Sequence, residues 1–268
     1  MTSKCRRRPK VSVLMCCFNA EKFLSEAIDS ILAQTLTDWE LIAVDDGSTD
    51  GTYSLLEGYE DPRIRVVRLD QNQGIPRALN CGLKLVTGDL IARLDADDVA
   101  DPDRLRVQAE FLDKHLEVVL VGGWLRTRGE AASRVLGTKS KGNLGPILLR
   151  GNQLLNSSVM FRESIVRTNN IRYREDLTNA QDYEFWLQLS QFGEIRLIGD
   201  VLGSYLMHPD QQTTRFGLRQ RRLGLKVQFR ALRGGYEIVG VRSWDFFVGI
   251  VYFMRHAIGL IGVISRMR

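Results

Sequence analysis

Three carboxylates follow a short apolar segment in the first half of the chain. Asp95, Asp97 and Asp98 come directly after residues 90–94, whose composition is typical of a strand buried on both faces. In an open α/β sheet, ligands bind beyond the carboxyl ends of the strands. Carboxylate oxygens at that edge suit a divalent cation such as Mg²⁺, which shares its coordination between one or two carboxylates and substrate phosphates. The alternative is a solvated acidic turn that caps the next helix.

Strand-like and helical segments alternate along the first half of the chain. Short runs rich in Val, Ile and Leu are followed by segments whose apolar residues recur at helical spacing. This alternation predicts an α/β fold with a mostly parallel, doubly wound and twisted sheet flanked by helices. The five strands predicted in this half cover residues 11–15, 41–44, 64–69, 90–94 and 118–121.

Capping residues and prolines predict where the helices begin. Asn19 is suited to cap the first helix, and Pro76 falls in the first turn of the third. Asp101 and Pro102 open the fourth helix as N-cap and first position. The pattern then fades over residues 126–151, which predicts a loop. Later strands are predicted at 156–161, 195–198 and 204–207, and a further helix from residue 179.

Charge is unevenly distributed along the 268 residues. The first ten residues hold five Lys/Arg and no acid, and residues 215–268 hold eleven Lys/Arg against two acids. The part between has 21 Lys/Arg and 30 Asp/Glu, a net charge of −9. An acidic body with basic ends argues against a nucleic-acid clamp in the main cleft. It favours binding of the basic ends to an anionic surface.

Cysteine and histidine usage limits the redox setting and the type of metal site. The four cysteines form no Cys-x-x-Cys pair, and Cys16 and Cys17 are adjacent on one predicted strand, where their side chains point to opposite faces. This usage indicates a reduced, cytosolic setting. With only three histidines in the chain, a zinc site built from several histidines is not expected.

The carboxyl-terminal region has a composition of its own. Basic residues recur at three- and four-residue spacing over 215–233, which predicts a basic amphipathic helix. An apolar segment follows at 244–264, and Arg255 with His256 interrupts it near the middle. A charged residue at the centre of a spanning helix is costly. We therefore expect shallow, in-plane contact with an anionic membrane. The alternatives are a dimerisation helix and a cover on the preceding domain.

Four motifs, in order, resemble those of family 2 glycosyltransferases with the GT-A fold. They are residues 11–24, residues 40–52, Gly74 with Ala78 and Asn80, and Asp95-Ala-Asp-Asp98. The resemblance covers residues 10–212 and leaves 213–268 as a helical extension. It implies a nucleotide-diphospho-sugar transferase fold. It also implies inverting transfer of a sugar from a nucleotide diphosphate, usually UDP, with Mg²⁺ or Mn²⁺.

The resemblance assigns roles on the donor side of the site. Asp45 matches the aspartate that binds the base, and Phe18, followed by Asn19, matches an aromatic residue beside it. Asp95 matches the acid that contacts ribose or sugar. Asp97 matches the acid that binds the metal, and Asp98 is expected to orient the site. Asp45 has an alternative role as a helix cap, and Phe18 as a core residue. Arg77, one turn into its helix, is positioned either for the donor phosphates or for a surface ion pair.

Two further residues match the acceptor side and the end of the family pattern. Asp182 matches the aspartate that takes the proton from the attacking hydroxyl, although a first-turn acid is also favoured by the helix dipole. Gln181 departs from the usual glutamate, which puts the role of this neighbour in doubt. His208 matches the histidine of a Tyr-x-x-His motif and is expected to contact diphosphate or metal, unless it is a loop residue. Cys16 stands where the family prefers proline, a change expected to alter loop stiffness only.

These observations predict an inverting glycosyltransferase at the cytoplasmic face of the cell membrane. The expected partners are a nucleotide-sugar donor, a lipid-linked or surface-polysaccharide acceptor and anionic lipid, with a homo-oligomer left open. A sugar nucleotidyltransferase is the rival enzyme class, but it usually has a glycine-rich basic loop near the first strand, which residues 16–22 do not resemble. A catalytically silent protein that binds nucleotide sugars is the third alternative.

Overall fold

The computed structural model describes residues 8–129, 133–138, 142–208, 211 and 217–266, with side chains up to 260. The basic cluster within the first seven residues and part of the predicted 126–151 loop lie outside these ranges. The strands are β1 (Val11–Cys17), β2 (Trp39–Asp45), β3 (Ile64–Arg68), β4 (Leu90–Arg93), β5 (Val99–Ala100), β6 (Val118–Gly129), β7 (Val135–Leu136), β8 (Met160–Arg162) and β9 (Glu194–Met207).

Eight α-helices and two 3-10 helices are found in the part of the chain that the structure describes. The α-helices are α1 (Leu24–Leu32), α2 (Thr52–Glu57), α3 (Ile75–Leu83), α4 (Arg104–Lys114), α5 (Glu163–Thr168), α6 (Gln181–Leu189), α7 (Gly217–Leu232) and α8 (Ser243–Arg266). The 3-10 helices are Gly145–Arg150 and Asn156–Ser158.

The described strands form one mixed sheet. Its order is β3-β2-β1-β4-β8-β6-β9-β5, and β7 pairs with β6 outside this path. The first four strands in this order are mutually parallel, as the sequence predicts. In the second half, β8 runs antiparallel to both β4 and β6, β9 is parallel to β6, and β5 is antiparallel to β9. The parallel character is therefore confined mainly to the amino-terminal half.

Helices cover both faces of the sheet, because its central strands are apolar on both sides. In β1, Val13 and Met15 contribute to a core shared with α1 and α4, whereas Leu14 contributes to the opposite core with α3 and α6. Cys16 and Cys17 follow the same alternation, which confirms that they point to opposite faces. Burial raises the pKa of the Cys16 thiol to about 12, which disfavours the reactive thiolate form.

Two helix starts differ from the sequence prediction. Asn19 does not cap α1, which begins at Leu24 after Phe23. Asn19 instead adopts φ 50°, and its Oδ1 accepts the backbone N–H of Thr49 at 2.9 Å, so its side chain is used by the neighbouring loop. The fourth helix likewise begins later than predicted, at Arg104, with Asp103 at the cap position.

The second half of the sheet differs more from the prediction. Residues 156–158 form a 3-10 helix, and only Met160–Arg162 is a strand. The segments 195–198 and 204–207 are parts of the single long strand β9. The predicted loop after residue 126 begins as the end of β6, because the edge of β9 offers it backbone partners up to Gly129.

The carboxyl-terminal extension packs against the preceding part of the protein. Val227 and Ala231 of α7 belong to the same buried core as Leu148 and Leu149. At Gly249 of α8, an added Cβ would lie 2.7 Å from Leu232 Cδ2 and 3.0 Å from the carbonyl oxygen of Leu149, so the helix approaches closely there. Among the described residues, no helix combines the length and apolar character that crossing a membrane requires.

Candidate active site

The carboxyl ends of three neighbouring parallel strands bring the first acids together. The register pairs Cys17 of β1 with Asp45 of β2, and Leu14 of β1 with Arg93 of β4. Asp95 and Asp97 follow β4 directly. The edge predicted from the sequence therefore exists, and it carries carboxylates from β2 and from the segment after β4.

Asp45 is fully buried but retains an open acceptor. Its Oδ1 accepts the backbone N–H of Ser48 at 3.2 Å. Its Oδ2 has no hydrogen bond from the described residues, and Arg68 Nε lies 3.4 Å away from it. The Arg68 guanidinium also lies 4.3 Å from the centre of the Tyr53 ring. A buried oxygen without a hydrogen bond is suited to an N–H donor on a ligand.

Asp46, next along the chain, fixes the loop that leads into α3. Its two carboxylate oxygens accept the backbone N–H groups of Gln73 and Gly74, each at 2.8 Å. Asp45 does not cap α2, whose N-cap residue is Gly51, and Asp50 accepts the backbone N–H of Thr52 at 3.0 Å. Burial raises the pKa of Asp46, and the two N–H donors oppose that shift.

Asp95 is held by two side chains that sequence reasoning missed. Arg93, which is fully buried, donates from Nη2 to Asp95 Oδ1 at 2.9 Å and from Nη1 to the carbonyl oxygen of Leu14. Asn156 Nδ2 lies 2.8 and 2.9 Å from the two oxygens of Asp95. The carboxylate is therefore fixed and partly neutralised, while 37% of its side chain remains exposed. In the sequence, the only sign of the role of Arg93 is that it is a basic residue within an apolar strand. No sequence pattern marks Asn156.

Asp97 pairs with His208 across the site. Asp97 Oδ2 and His208 Nε2 lie 3.1 Å apart, and the Phe23 ring packs on the imidazole at 4.7 Å between centroids. The second ring nitrogen, Nδ1, is buried and has no hydrogen bond from the described residues. Burial raises the pKa of Asp97, and the charge of Asp95 adds to the shift. Arg128 of β6 donates to the carbonyl oxygen of Asp97 at 2.8 Å.

Asp98 and a second buried arginine lie beneath this pair. Asp98 Oδ1 accepts the backbone N–H of Leu206 at 3.0 Å and so joins the acidic loop to β9. Burial raises the pKa of Asp98 well above its usual value. The opposing charge of Arg104, itself buried, lies close by, and burial lowers the pKa of this arginine to about 10. The expected orienting role of Asp98 agrees with these contacts.

The donor set fits a divalent cation that is completed by its ligand. Within the described ranges, no group of three or more His, Cys, Asp or Glu side chains is arranged to hold a metal. Asp97 would supply one carboxylate oxygen and His208 one imidazole nitrogen. The rest of the coordination shell would fall to phosphate oxygens and water, the oxygen ligands that Mg²⁺ and Mn²⁺ favour.

Asp182 lies in the first turn of α6 and is also held by an asparagine. Asn152 Nδ2 donates to Asp182 Oδ2 at 2.8 Å. Burial raises the pKa of Asp182, and the charge of Asp95 raises it further, so the two carboxylates lie within electrostatic range of each other. Ala180, just before the helix, has φ 84°, a left-handed conformation that is strained for alanine.

The other predicted site residues have different surroundings. Arg77 pairs with Glu175 at 2.8 Å, beside a cavity of about 360 Å³. The surface ion pair anticipated for Arg77 is therefore present, and contact with donor phosphates stays a prediction. Phe18 is 44% exposed, so it is not a core residue. Asn19 binds the loop that contains Ser48 through its backbone N–H at 3.0 Å.

The sequence model described as glycosyl transferase family 2 matches residues 12–176. The chain belongs to glycosyltransferase family 2. An uncharacterized glycosyltransferase of Haemophilus influenzae is 31% identical over 233 residues, which cover 82% of this chain and 72% of that protein. The assignment confirms that the chain is a glycosyltransferase, and the sugar that it transfers is not fixed by this likeness.

Solved structures of glycosyltransferases share the fold. The crystal structure of Staphylococcus aureus TarS 1–349 with UDP-GlcNAc has a TM-score of 0.75 at 20% identity, covering 92% of this chain and 72% of that one. In sequence, the poly(ribitol-phosphate) beta-N-acetylglucosaminyltransferase TarS is 28% identical to this chain. The aligned part covers 67% of this chain and 32% of full-length TarS. The mannosyltransferase PcManGT of Pyrobaculum calidifontis, with GDP-Man and Mn²⁺, has a TM-score of 0.68 at 18% identity, covering 97% and 76%. The predicted GT-A fold with a helical extension is confirmed.

Proposed function

We propose that this family 2 enzyme transfers a sugar, with inversion, from a nucleotide diphosphate donor to a hydroxyl group of its acceptor. UDP is the favoured nucleotide, because the open oxygen of buried Asp45 suits an N–H group of a base such as uracil. The UDP-GlcNAc complex of TarS supports the same donor class. The observation that carries the proposal is that Asp95 lies within electrostatic range both of Asp182 and of Asp97, which pairs with His208.

Asp182 is the proposed general base. Its carboxylate takes the proton of the acceptor hydroxyl, the oxygen forms a bond to the anomeric carbon, and the bond from that carbon to the diphosphate oxygen breaks on the opposite face. The leaving group departs as nucleoside diphosphate, and the configuration inverts. Burial raises the pKa of Asp182, which makes it a stronger base than an exposed aspartate. Asn152 keeps the carboxylate oriented.

The donor side positions the diphosphate. Asp97 and His208 are the residues that would hold Mg²⁺ or Mn²⁺. The metal would stabilise the charge that develops on the leaving diphosphate, an effect worth several kcal/mol at other metal sites. Asp95, fixed by Arg93 and Asn156, presents its open lone pairs to hydroxyls of the ribose or the sugar. Phe18 lies exposed at the end of β1, where an aromatic ring suits stacking with the base.

We further propose that the acceptor is lipid-linked or a surface polysaccharide, and that the enzyme works peripherally at the inner face of the cell membrane. The name of TarS, which refers to poly(ribitol-phosphate), supports an acceptor of the surface-polymer type. The basic extension supports the location, and Cys16, Cys17 and Cys81, the cysteines within the described residues, are free thiols.

The test is turnover of a panel of UDP-, GDP- and dTDP-sugars with Mn²⁺ or Mg²⁺, with a membrane extract as the source of acceptor. Nucleoside diphosphate release is followed for the wild type, Asp97→Asn, Asp182→Asn and the control Asp176→Asn, an exposed acid paired with Arg174. We expect one donor to be consumed, the first two variants to be inactive, and the control to be active.

Metal removal and product analysis complete the test. Chelation with EDTA should abolish turnover and added Mn²⁺ should restore it, since diphosphate binding depends on the shared cation. NMR of the product should show an inverted anomeric centre. Release of pyrophosphate instead of nucleoside diphosphate would establish the nucleotidyltransferase alternative. Binding of a nucleotide sugar without any turnover would favour the silent binding protein.

A further inference from the structure

An apolar stripe runs along the outside of α8. We define the apolar stripe as Trp244, Phe247, Val251, Met254 and Ile258, whose spacing of three and four residues puts them on one side of a helix. Each of these side chains is exposed by at least 45%, and Ile258 by 69%. Ile250 widens the stripe and is 46% exposed. An exposed apolar surface of this length signals an interaction site.

The opposite side of α8 is already occupied by the protein. Gly249 is buried against Leu232 and the backbone of Leu149, and Phe253 contacts the ring of Phe229 at 5.6 Å between centroids. Phe246 packs against the main core. Because this face stays docked, α8 offers only the stripe to an outside partner, and it would have to leave the protein in order to insert across a bilayer.

The surroundings of the stripe are strongly basic. Residues 217–266 contain nine Lys/Arg and two acids. On α7, the exposed Arg222 and Lys226 lie seven and three residues before Phe229, so they share its side of the helix. Arg233, just after α7, is also exposed, and its guanidinium lies 5.6 Å from the centre of the Phe229 ring. Because Phe229 contacts Phe253, these cations lie near the docked side of α8, and Arg255, one residue after Met254, adds an exposed cation on α8 itself. Such cations attract anionic lipid headgroups.

We propose that the apolar stripe inserts into the boundary between headgroups and acyl chains of an anionic bilayer, with α8 lying in the membrane plane. Trp244 and Phe247 at one end suit the interface, where aromatic side chains are favoured. A second copy of this chain fits less well, because it would bring a second set of basic residues to the same contact. The inference deepens the proposed function, on which it rests for the membrane-linked acceptor.

Vesicle binding by the full chain tests the proposal without any donor or acceptor. Phosphatidylcholine vesicles with and without phosphatidylglycerol are the probes, with cosedimentation and tryptophan fluorescence as readouts. Trp39 and Trp186 are buried and Trp124 is half-buried, whereas Trp244 is 67% exposed, so insertion should shift the emission to the blue mainly through Trp244. We expect binding to the anionic vesicles, weakened by salt, and a shift that is absent in Trp244→Leu.

A matched pair of double variants locates the contact. Phe247→Asp with Met254→Asp places two carboxylates in the stripe, and we expect the vesicle affinity to fall at least about tenfold. Leu116→Asp with Val135→Asp makes the same change at two exposed apolar positions away from α8 and should keep the affinity. Both pairs change exposed side chains, so the fold should persist, as circular dichroism can verify.

Three results would overturn the proposal. The first is that the wild type does not bind anionic vesicles, and the second is that the stripe variant binds them as tightly as the wild type. The third is that light scattering shows a dimer for the wild type and a monomer for the stripe variant, which would assign the stripe to a second copy. A failure of the proposed function can be distinguished from a failure of this proposal. If the stripe variant loses vesicle binding but still turns over a donor with a detergent-dispersed acceptor, membrane contact is lost while catalysis is retained.

Discussion

At the scale of single residues, the carboxylates of the site differ in how they are held. Asp95 accepts hydrogen bonds from the N–H groups of Arg93 and Asn156, whereas Asp97 pairs with the His208 imidazole at 3.1 Å. A carboxylate whose lone pairs are already directed and partly neutralised is a poor primary metal ligand. It is a well-oriented acceptor for ligand hydroxyls. The contacts therefore favour donor binding by Asp95 and metal binding by Asp97.

Replacing Asn156 should weaken donor binding. In Asn156→Ala, both oxygens of Asp95 lose an amide donor, and hydrogen bonds to charged groups contribute about 1.5–3 kcal/mol. We expect KM for the donor to rise by about ten- to a hundredfold, with a smaller change in kcat. Asn169→Ala, which removes an exposed asparagine, is the control. An unchanged KM would show that Asp95 needs no such support.

Replacing Asp182 should separate activity from stability. Asp182→Asn should reduce kcat by about 10²- to 10⁴-fold, the usual contribution of a general base. Burial raises the pKa of Asp182 in the folded state, so ionisation costs stability at neutral pH, and this cost disappears as the pH falls through that pKa. The variant should therefore be more stable than wild type at pH 7, with the difference shrinking in acid.

Urea unfolding at several pH values measures this effect. Asp176→Asn is the control with the opposite sign, because the neighbouring Arg174 lowers the pKa of Asp176. The ionised Asp176 of the wild type therefore stabilises the fold at neutral pH. This stabilisation is lost as the pH falls through the lowered pKa. In the pH profile of the wild-type kcat, activity should fall in acid with an apparent pKa above the ordinary aspartate value of about 3.9. An apparent pKa at or below that value would argue against Asp182 as the base.

Their position directly after an apolar strand was enough to predict Asp95, Asp97 and Asp98 as candidates, and the family resemblance added Asp45, Asp182 and His208. The side chains that hold them could not be found in this way. Asn152 and Asn156 reach the acids across about 30 and 61 residues of sequence, and such long-range hydrogen bonds leave no periodic signal. Arg93 was within reach of sequence reasoning, since a buried cation in a strand requires an anion nearby.

At the scale of elements, the start of α6 is strained where it presents the proposed base. Ala180 has φ 84°, and an L-residue in this conformation is disfavoured by about 1–2 kcal/mol. Ala180→Gly removes that strain and increases the entropy of the unfolded chain. We expect a net gain of about 0.5–1 kcal/mol in the free energy of unfolding, measured in urea. Ala231→Gly, inside helix α7, should be destabilising and is the matched control.

Elements with a single strong period were predicted well, and elements completed by distant partners were not. The continuous apolar runs of β1, β2 and β4 and the spacing of α3 and α6 match the structure. Strand β5 has two residues and exists because β9 pairs with it. The polar end of β6 is likewise a strand because of β9 and β7. In these cases backbone pairing outweighed local composition.

At the scale of the whole molecule, the extension and the catalytic body share one core. Val227, Ala231 and Ile238 are buried with Leu144 and Leu148 of the body. The boundary predicted at residue 212 therefore separates compositions, and the division into two domains stays a prediction. Gln228 of α7 also donates to the carbonyl of Leu149 at 2.9 Å. Removing the extension would expose apolar side chains and leave that carbonyl without its donor.

A chain that ends after residue 216 should therefore be poorly folded. We expect a low soluble yield, binding of the dye ANS, and a broadened thermal transition. The full chain carrying Phe247→Asp and Met254→Asp is the control, since these outward changes leave the shared core intact. A truncated chain that unfolds cooperatively at the wild-type temperature would show that residues 10–212 are an independent domain.

The shared core also has a consequence for how the chain is made. A ribosome delivers the sheet and helices α1 to α6 before it delivers the residues of α7 that close their core, at about 5–20 residues per second. Until Val227 and Ala231 emerge, Leu148 and Leu149 lack their final cover. For those seconds the nascent chain carries exposed leucines, so its yield in cells should depend on chaperones that hold apolar segments during synthesis.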